Sequence, residues 1–164
     1  MDEIKRMQDN LLLIRRAVGW TAEEFGDQIG VTRQTINNIE SGRNRLTKTQ
    51  YIAMRSVLDV EMAKYPDETE MLKIILDVFV DHPDSYKKED RENLMAKANL
   101  ITPSILAGTA TRKDVSKEWM KAVSALGEVV SIAAIQACTV GSLISAWLLK
   151  AAVSTEKKKK KIKR

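Results

Sequence analysis

An all-α fold is predicted by three features of this sequence. Short apolar clusters recur at spacings of three and four residues, capping residues open them while glycines close them, and no strand pair or internal repeat is visible. Leu11, Leu12, Ile14 and Val18 sit on helical spacings, and Gly19 follows as a stop. Thr21, with Glu24 three residues on, has the pattern of a capping box and opens a short helix through about Ile29, which Gly30 ends. Thr32 caps the next helix, which carries Ile36 and Ile39 inward and stops before Ser41-Gly42. Thr47 caps a fourth, with Ile52, Ala53, Val57 and Leu58 on one face.

After Tyr65-Pro66 the composition changes. Residues 67–80 read as one amphipathic helix with Met71, Leu72, Ile75, Val78 and Phe79 as its stripe. The stretch Asp81 to Arg91 reads as a polar connection, and a weak helix near Glu92 to Leu100 follows. Thr102-Pro103-Ser104 together with Gly108-Thr109 marks another loop, and a long helix starting at Asp114 or Ser116 reaches about Val153.

Composition narrows the class. In 164 residues, 44% are hydrophobic, 30% are charged, and there are seven Gly and three Pro, so collagen-like and wholly disordered chains are excluded. A single cysteine, Cys138, forms no internal disulfide, which agrees with a reducing cytosol. The opening Met1-Asp2-Glu3-Ile4-Lys5-Arg6 carries acids early, and the run Leu11 to Ile14 ends at Arg15-Arg16, so no secretory signal is visible and a cytoplasmic protein is expected. The formal charge of +5 is misleading in bulk. Residues 150–164 hold eight Lys/Arg and one Glu, a local +7, whereas residues 1–149 are net −2. An argument for DNA binding therefore rests on where charges sit in the N-terminal part.

Two short helices joined at Gly30, the second with a polar outer face, suit insertion into a DNA major groove. The run from Thr21 to Gly42, TAEEFGDQIGVTRQTINNIESG, resembles the helix-turn-helix of the Cro/repressor-type (Xre-like) family. Gly26 takes the small-residue position where the helices cross, Gly30 is the turn glycine, Val31, Ile36 and Ile39 take the buried positions, and Glu40-Ser41-Gly42 closes the motif. The resemblance covers about residues 9–60 and departs from the family at three places. Ala22 stands where Gln often meets a phosphate, Phe25-Gly26 where Leu-Ala is frequent, and Leu46 where Pro often precedes the fourth helix.

The resemblance implies a compact lambda-repressor-like five-helix DNA-binding domain, double-stranded DNA as partner, and a homodimer on a two-fold operator. Recognition helices present their N-terminal residues to base edges, so Thr32, Arg33, Gln34 and Thr35 are the first candidates, with Asn37 and Asn38 one turn later. Gln pairs bidentately with adenine and Arg with guanine. By the same resemblance Arg33, Gln34 and Asn38 are the best base readers, while Thr32 serves the cap and a phosphate. From Val31 to Lys48 the charges are Arg33, Arg43, Arg45 and Lys48 against Glu40 alone, a +3 patch. Arg43 and Arg45, with Asn44, follow the recognition helix where cations can straddle the phosphate backbone. The family pairs the acid at Glu40 with an Arg matching Arg15, a structural clamp.

Other residues point to ordinary roles. His82, between Asp81 and Pro83, has no His or Cys partner for a metal and reads as a loop or capping residue. Cys138 lies in an apolar run without a nearby His and reads as a buried thiol. No phosphate-binding loop, dinucleotide fingerprint or nucleophile elbow is present, so neither an enzyme nor a cofactor is expected.

Val129 to Leu149 is 21 residues without a charge, long enough to cross a bilayer, with Trp147 and Lys150 at its edge. A single crossing is opposed, because the DNA-binding part must remain in the cytosol and the positive tail, Lys157 to Lys161 with Lys163 and Arg164, favours the same side. Two readings stay open: membrane association through residues 122–153 and the basic tail, at the cytoplasmic membrane, or a buried oligomerisation helix or hairpin. The organisation expected is a DNA-binding domain at 1–65, a helical linker region at 66–113, an apolar helix at 114–153 and a basic tail at 154–164. The function expected is a sequence-specific transcriptional regulator, a dimeric repressor. The competing class is a membrane or assembly protein that docks a partner through its helical N-terminal domain.

Overall fold

The computed structural model describes residues 2–124, and all its regular elements there are helical, without a strand. Asp2 caps α1 (Glu3–Asp9), and the chain bends at Asn10 into α2 (Leu11–Val18). Asn10 closes the first helix through its side-chain amide, which donates to the Arg6 carbonyl at 2.8 Å. Leu11, Leu13, Ile14, Ala17 and Val18 of α2 are buried. Gly19 ends it at φ +81°, followed by α3 (Ala22–Ile29), α4 (Arg33–Glu40) and α5 (Lys48–Lys64). Five helices thus occupy residues 3–64, and each capping threonine read from the sequence accepts a backbone N–H of its own first turn.

The apolar face of α5 is rotated from the one expected. Met54, Leu58 and Met62 enter the core, whereas Ile52 is half exposed and Ala53 and Val57 are only partly covered. Met54, Leu58 and Met62 are spaced i, i+4, i+8, and α5 packs against α1, α3 and α6, so this flexible methionine stripe takes the inner face.

The packing continues past Tyr65. In α6 (Glu70–Leu76), followed by a π-helical turn at Asp77–Asp81, the buried set is wider than the expected stripe: Ile74, Leu76 and Val80 are inside together with Met71, Leu72, Ile75, Val78 and Phe79. A helix covered on nearly all sides needs no polar face. It is packed by α1, α2 and α5 on the N-terminal side, and by α9 (Arg112–Ser124) through Val115, Trp119 and Val123 on the other. Between them, α7 (Lys88–Ile101) begins four residues earlier than expected, and α8 (Pro103–Leu106) is a single turn within the segment read as a loop. The last described helix starts at Arg112 rather than at Asp114 or Ser116, because Thr111 supplies its cap by accepting from the Asp114 N–H at 3.2 Å.

Polar links join the two parts. Arg6 Nε donates to the Val80 carbonyl at 2.6 Å, and Arg55 pairs with Asp81 at 3.1 Å. Burial raises the carboxyl pKa of Asp81 and of Asp59 above the usual range, with the Arg55 guanidinium opposing the shift. Arg112 reaches Val18 O, Glu61 and Glu68 together. His82 contacts Asp77 at 2.6 Å in the turn after the π-helical segment. The described residues lie within one compact unit, Met1–Val130. Among them no helix is long and apolar enough to cross a membrane. The Val129–Leu149 run, Cys138 and the basic tail lie outside the described residues.

Among the described glycines, the closest approach of a neighbour is at Gly26. A Cβ built there would lie 2.5 Å from the Val31 backbone carbonyl oxygen and 3.3 Å from the Thr32 carbonyl carbon. Alanine would raise helix propensity by about 1 kcal/mol, but overpacking against backbone costs about 1–3 kcal/mol. Gly26→Ala is therefore expected to lower stability by about 1 kcal/mol in urea unfolding, although Ala is the better helix former. A rise in the midpoint would show that α3 and α4 separate freely.

Candidate nucleic-acid interface

The pair α3 and α4 is built from its turns. Thr21 and Glu24 form a reciprocal capping box, with the Thr21 N–H donating to Glu24 Oε2 at 2.7 Å and the Glu24 N–H to Thr21 Oγ1 at 3.1 Å. The first of these bonds, with help from the Thr21 hydroxyl, holds the Glu24 carboxyl below its usual pKa. The N-terminus of α3 thus carries its own anion, and Ala22, buried beside it, offers no side-chain donor. Gly30 turns the chain at φ +73°, and the Val31 N–H donates to Gly26 O at 2.9 Å. That bond brings α4 close enough to require the glycine at 26.

Ile36 and Ile39 are buried, at 0% and 1% exposure, which points the opposite side of α4 to solvent. Arg33 and Gln34 are exposed there, and Thr35, Asn37 and Asn38 are half exposed. Thr32 Oγ1 accepts the Thr35 N–H at 3.2 Å and lies 3.0 Å from Thr35 Oγ1, so both hydroxyls belong to the cap. Gln34 Nε2 donates to Asn38 Oδ1 at 3.0 Å. The pair forms one amide unit that keeps the Gln34 Oε1 acceptor and Asn38 Nδ2 donors for other partners.

Arg15 and Glu40 meet as a two-pronged pair. Arg15 Nε and Nη2 donate to the two Glu40 oxygens at 2.6 and 3.0 Å, and Nη1 donates to the Trp20 carbonyl at 3.0 Å. Their side chains are 10% and 9% exposed. The pair ties the last residue of α4 to α2, and it compensates the one acid between Val31 and Lys48.

The loop after α4 carries Arg43, Asn44 and Arg45, all exposed, and Lys48 is exposed on the first turn of α5. Leu46 plugs this loop into the core at 6% exposure. The Asn44 N–H donates to Asn38 O at 3.0 Å, which joins the loop to α4. From α1, the buried Gln8 donates to Ile39 O at 3.0 Å and to Asn44 O at 2.8 Å, and accepts the Leu46 N–H at 3.0 Å. Sequence reading missed Gln8 because nothing in its neighbourhood distinguishes it from a surface glutamine. The one available signal was Leu46 itself, since a residue other than proline brings an N–H that must be satisfied.

These observations define a helix-turn-helix unit with a basic loop at its outer edge. Residues 11–65, about a third of the chain, match the family model described as helix-turn-helix, so the N-terminal part is similar to Cro/C1-type (Xre-like) helix-turn-helix domains. The match supports a DNA-binding regulator of that class. No curated protein and no solved structure matches the chain.

Removing one partner of a buried ion pair strands the other charge, at a cost of about 3–5 kcal/mol. Arg15→Ala is expected near the lower end, because Glu40 lies at a helix end and can turn outward. A double-mutant cycle with Glu40→Gln, read by urea unfolding, is expected to show coupling above about 1 kcal/mol. Additive effects would mean that the pair does not clamp α2 to α4.

Proposed function

We propose that this chain is a sequence-specific transcriptional repressor that acts as a dimer and lays α4 in the DNA major groove. The observation that carries the reading is the division of α4 between two buried isoleucines and an outward face composed of Arg33, Gln34, Thr35, Asn37 and Asn38. Donors and acceptors of this kind match base edges: Arg33 suits the N7 and O6 acceptors of guanine. The coupled amides of Gln34 and Asn38 suit adenine, with Gln34 Oε1 accepting from N6 and Asn38 Nδ2 donating to N7. Thr32 stands at the phosphate edge, and Arg43, Asn44, Arg45 and Lys48 extend along the neighbouring backbone.

Dimerisation places two such helices on successive half-sites about 34–36 Å apart. One copy reads too few bases for operator affinity, and a second half-site supplies the rest through effective concentration. Blocking of a promoter by the bound dimer is the simplest regulatory outcome.

The test begins by selecting duplexes from a randomised pool with the full chain. On the selected duplex, Arg33→Ala and Gln34→Ala are each expected to lose about 1–3 kcal/mol of affinity, roughly tenfold to a hundredfold, with a smaller loss on mixed-sequence DNA. Retention of the full sequence preference by both variants would contradict this assignment of base readers.

A further inference from the structure

We propose that Gln8 is a positioning residue for DNA binding, setting where Arg43 and Arg45 stand against the phosphate backbone. The inference rests on the reading of those two arginines as phosphate contacts. Gln8 lies in α1, ahead of the matched residues 11–65, so the helix-turn-helix pattern does not include it. Its amide is nonetheless spent wholly on the recognition side of the domain. Two donor bonds go to the Ile39 and Asn44 carbonyls, and the acceptor takes the Leu46 N–H.

Each of the three bonds fixes something different. Ile39 O, among the last carbonyls of α4, accepts the Gly42 N–H at 3.1 Å and takes the Gln8 amide as a second donor, so Gln8 adds a side-chain cap to the end of this helix. Asn44 O and Leu46 N–H lie on either side of Arg45, and Asn44 follows Arg43 directly. The backbone carrying both cations is thus held at two points by one planar amide. Gln8 is 9% exposed, so water does not readily replace these bonds. Gly42, at φ +74° with nothing near its α-carbon's open side, sits just before the bracketed segment and adds no side-chain restraint. The bracket therefore holds the loop together with the Asn44 N–H bond to Asn38 O and the buried Leu46 side chain, whereas the buried side chains of α2, α4 and α5 do not depend on it.

Loop position is legible in salt dependence. Each phosphate contact adds about 0.9 to the slope of log affinity against log salt concentration. Contacts from a displaced loop would vanish together. Gln8→Met keeps length and volume but removes every hydrogen bond, and on mixed-sequence duplex DNA the full-length variant is expected to show a slope smaller by about 2. Arg43→Ala/Arg45→Ala is expected to show the same decrease, and adding Gln8→Met to it is expected to cause no further change. The basic tail is common to all these proteins and cancels in the comparison.

A readout without DNA accompanies this one. In the free protein, hydrogen exchange at the Leu46 amide is expected to accelerate at least tenfold in Gln8→Met, while the Ile14 and Leu58 amides keep their protection. Should Gln8→Met fail to fold, Gln8→Asn retains the amide, shortens its reach, and is expected to give the same changes in smaller measure. An unchanged salt slope, or a full additive loss in the triple variant, would overturn the positioning role. Unchanged Leu46 exchange would overturn the bracket itself. If the unaltered chain bound no DNA, the functional reading would fall and the positioning role with it; binding by the unaltered chain with an unchanged slope in Gln8→Met overturns the positioning role alone.

Discussion

The ion pair between Arg15 and Glu40 fixes the end of α4 against α2. Without it, the two isoleucines would still select the buried face of α4, by contacts that place its last turn only loosely. With it, the last residue of α4 is attached to α2 through two parallel hydrogen bonds, and a third bond from the same guanidinium holds the Trp20 carbonyl at the entry to α3. One side chain therefore sets the relative placement of three helices. A buried pair of this kind contributes little net stability compared with apolar residues of the same volume, so orientation is the physical role that accounts for it.

Everything on the outer face follows from that placement together with the close crossing at Gly26. The crossing fixes the distance between α3 and α4, and the pair fixes the position of the last turn of α4. Because Glu40 is occupied from within, the cations at 33, 43, 45 and 48 meet no acid of their own segment. The opposite arrangement holds at α3, where Glu23 and the capping Glu24 make the N-terminus acidic. A phosphate at the start of α3 would meet those carboxylates, which agrees with the proposal that the backbone of bound DNA runs along the loop and the first turn of α5. This chain thus shifts its positive charge toward the C-terminal side of the recognition helix, and that shift makes the loop geometry matter.

What the sequence disclosed was local. Thr21, Thr32 and Thr47 announce helix starts because a hydroxyl cap needs only the next three residues, and Gly30 announces a turn because a positive φ is a property of one residue. The identity of the outward residues on α4 was legible for the same reason: two isoleucines three apart leave little choice of face. The rotation of α5 was not legible, because Ile52 and Met54 are both apolar and only the surface presented by α1, α3 and α6 selects between them. The burial of α6 on nearly all sides depends on α9, more than thirty residues away, and the bracket made by Gln8 spans a similar distance. Such contacts leave no periodic trace.

The central claim is that the face formed by residues 32–48 is where DNA binds. The most direct test is an NMR titration of the full chain, or of any soluble form that retains its fold, with a duplex enriched from a randomised pool. The account predicts that amide shifts cluster at Thr32 to Asn38 and Arg43 to Lys48, with intermolecular contacts from the Arg33, Gln34 and Asn38 side chains to major-groove protons. Shifts centred on another surface, such as the exposed sides of α7 and α9, with α4 unperturbed, would contradict it.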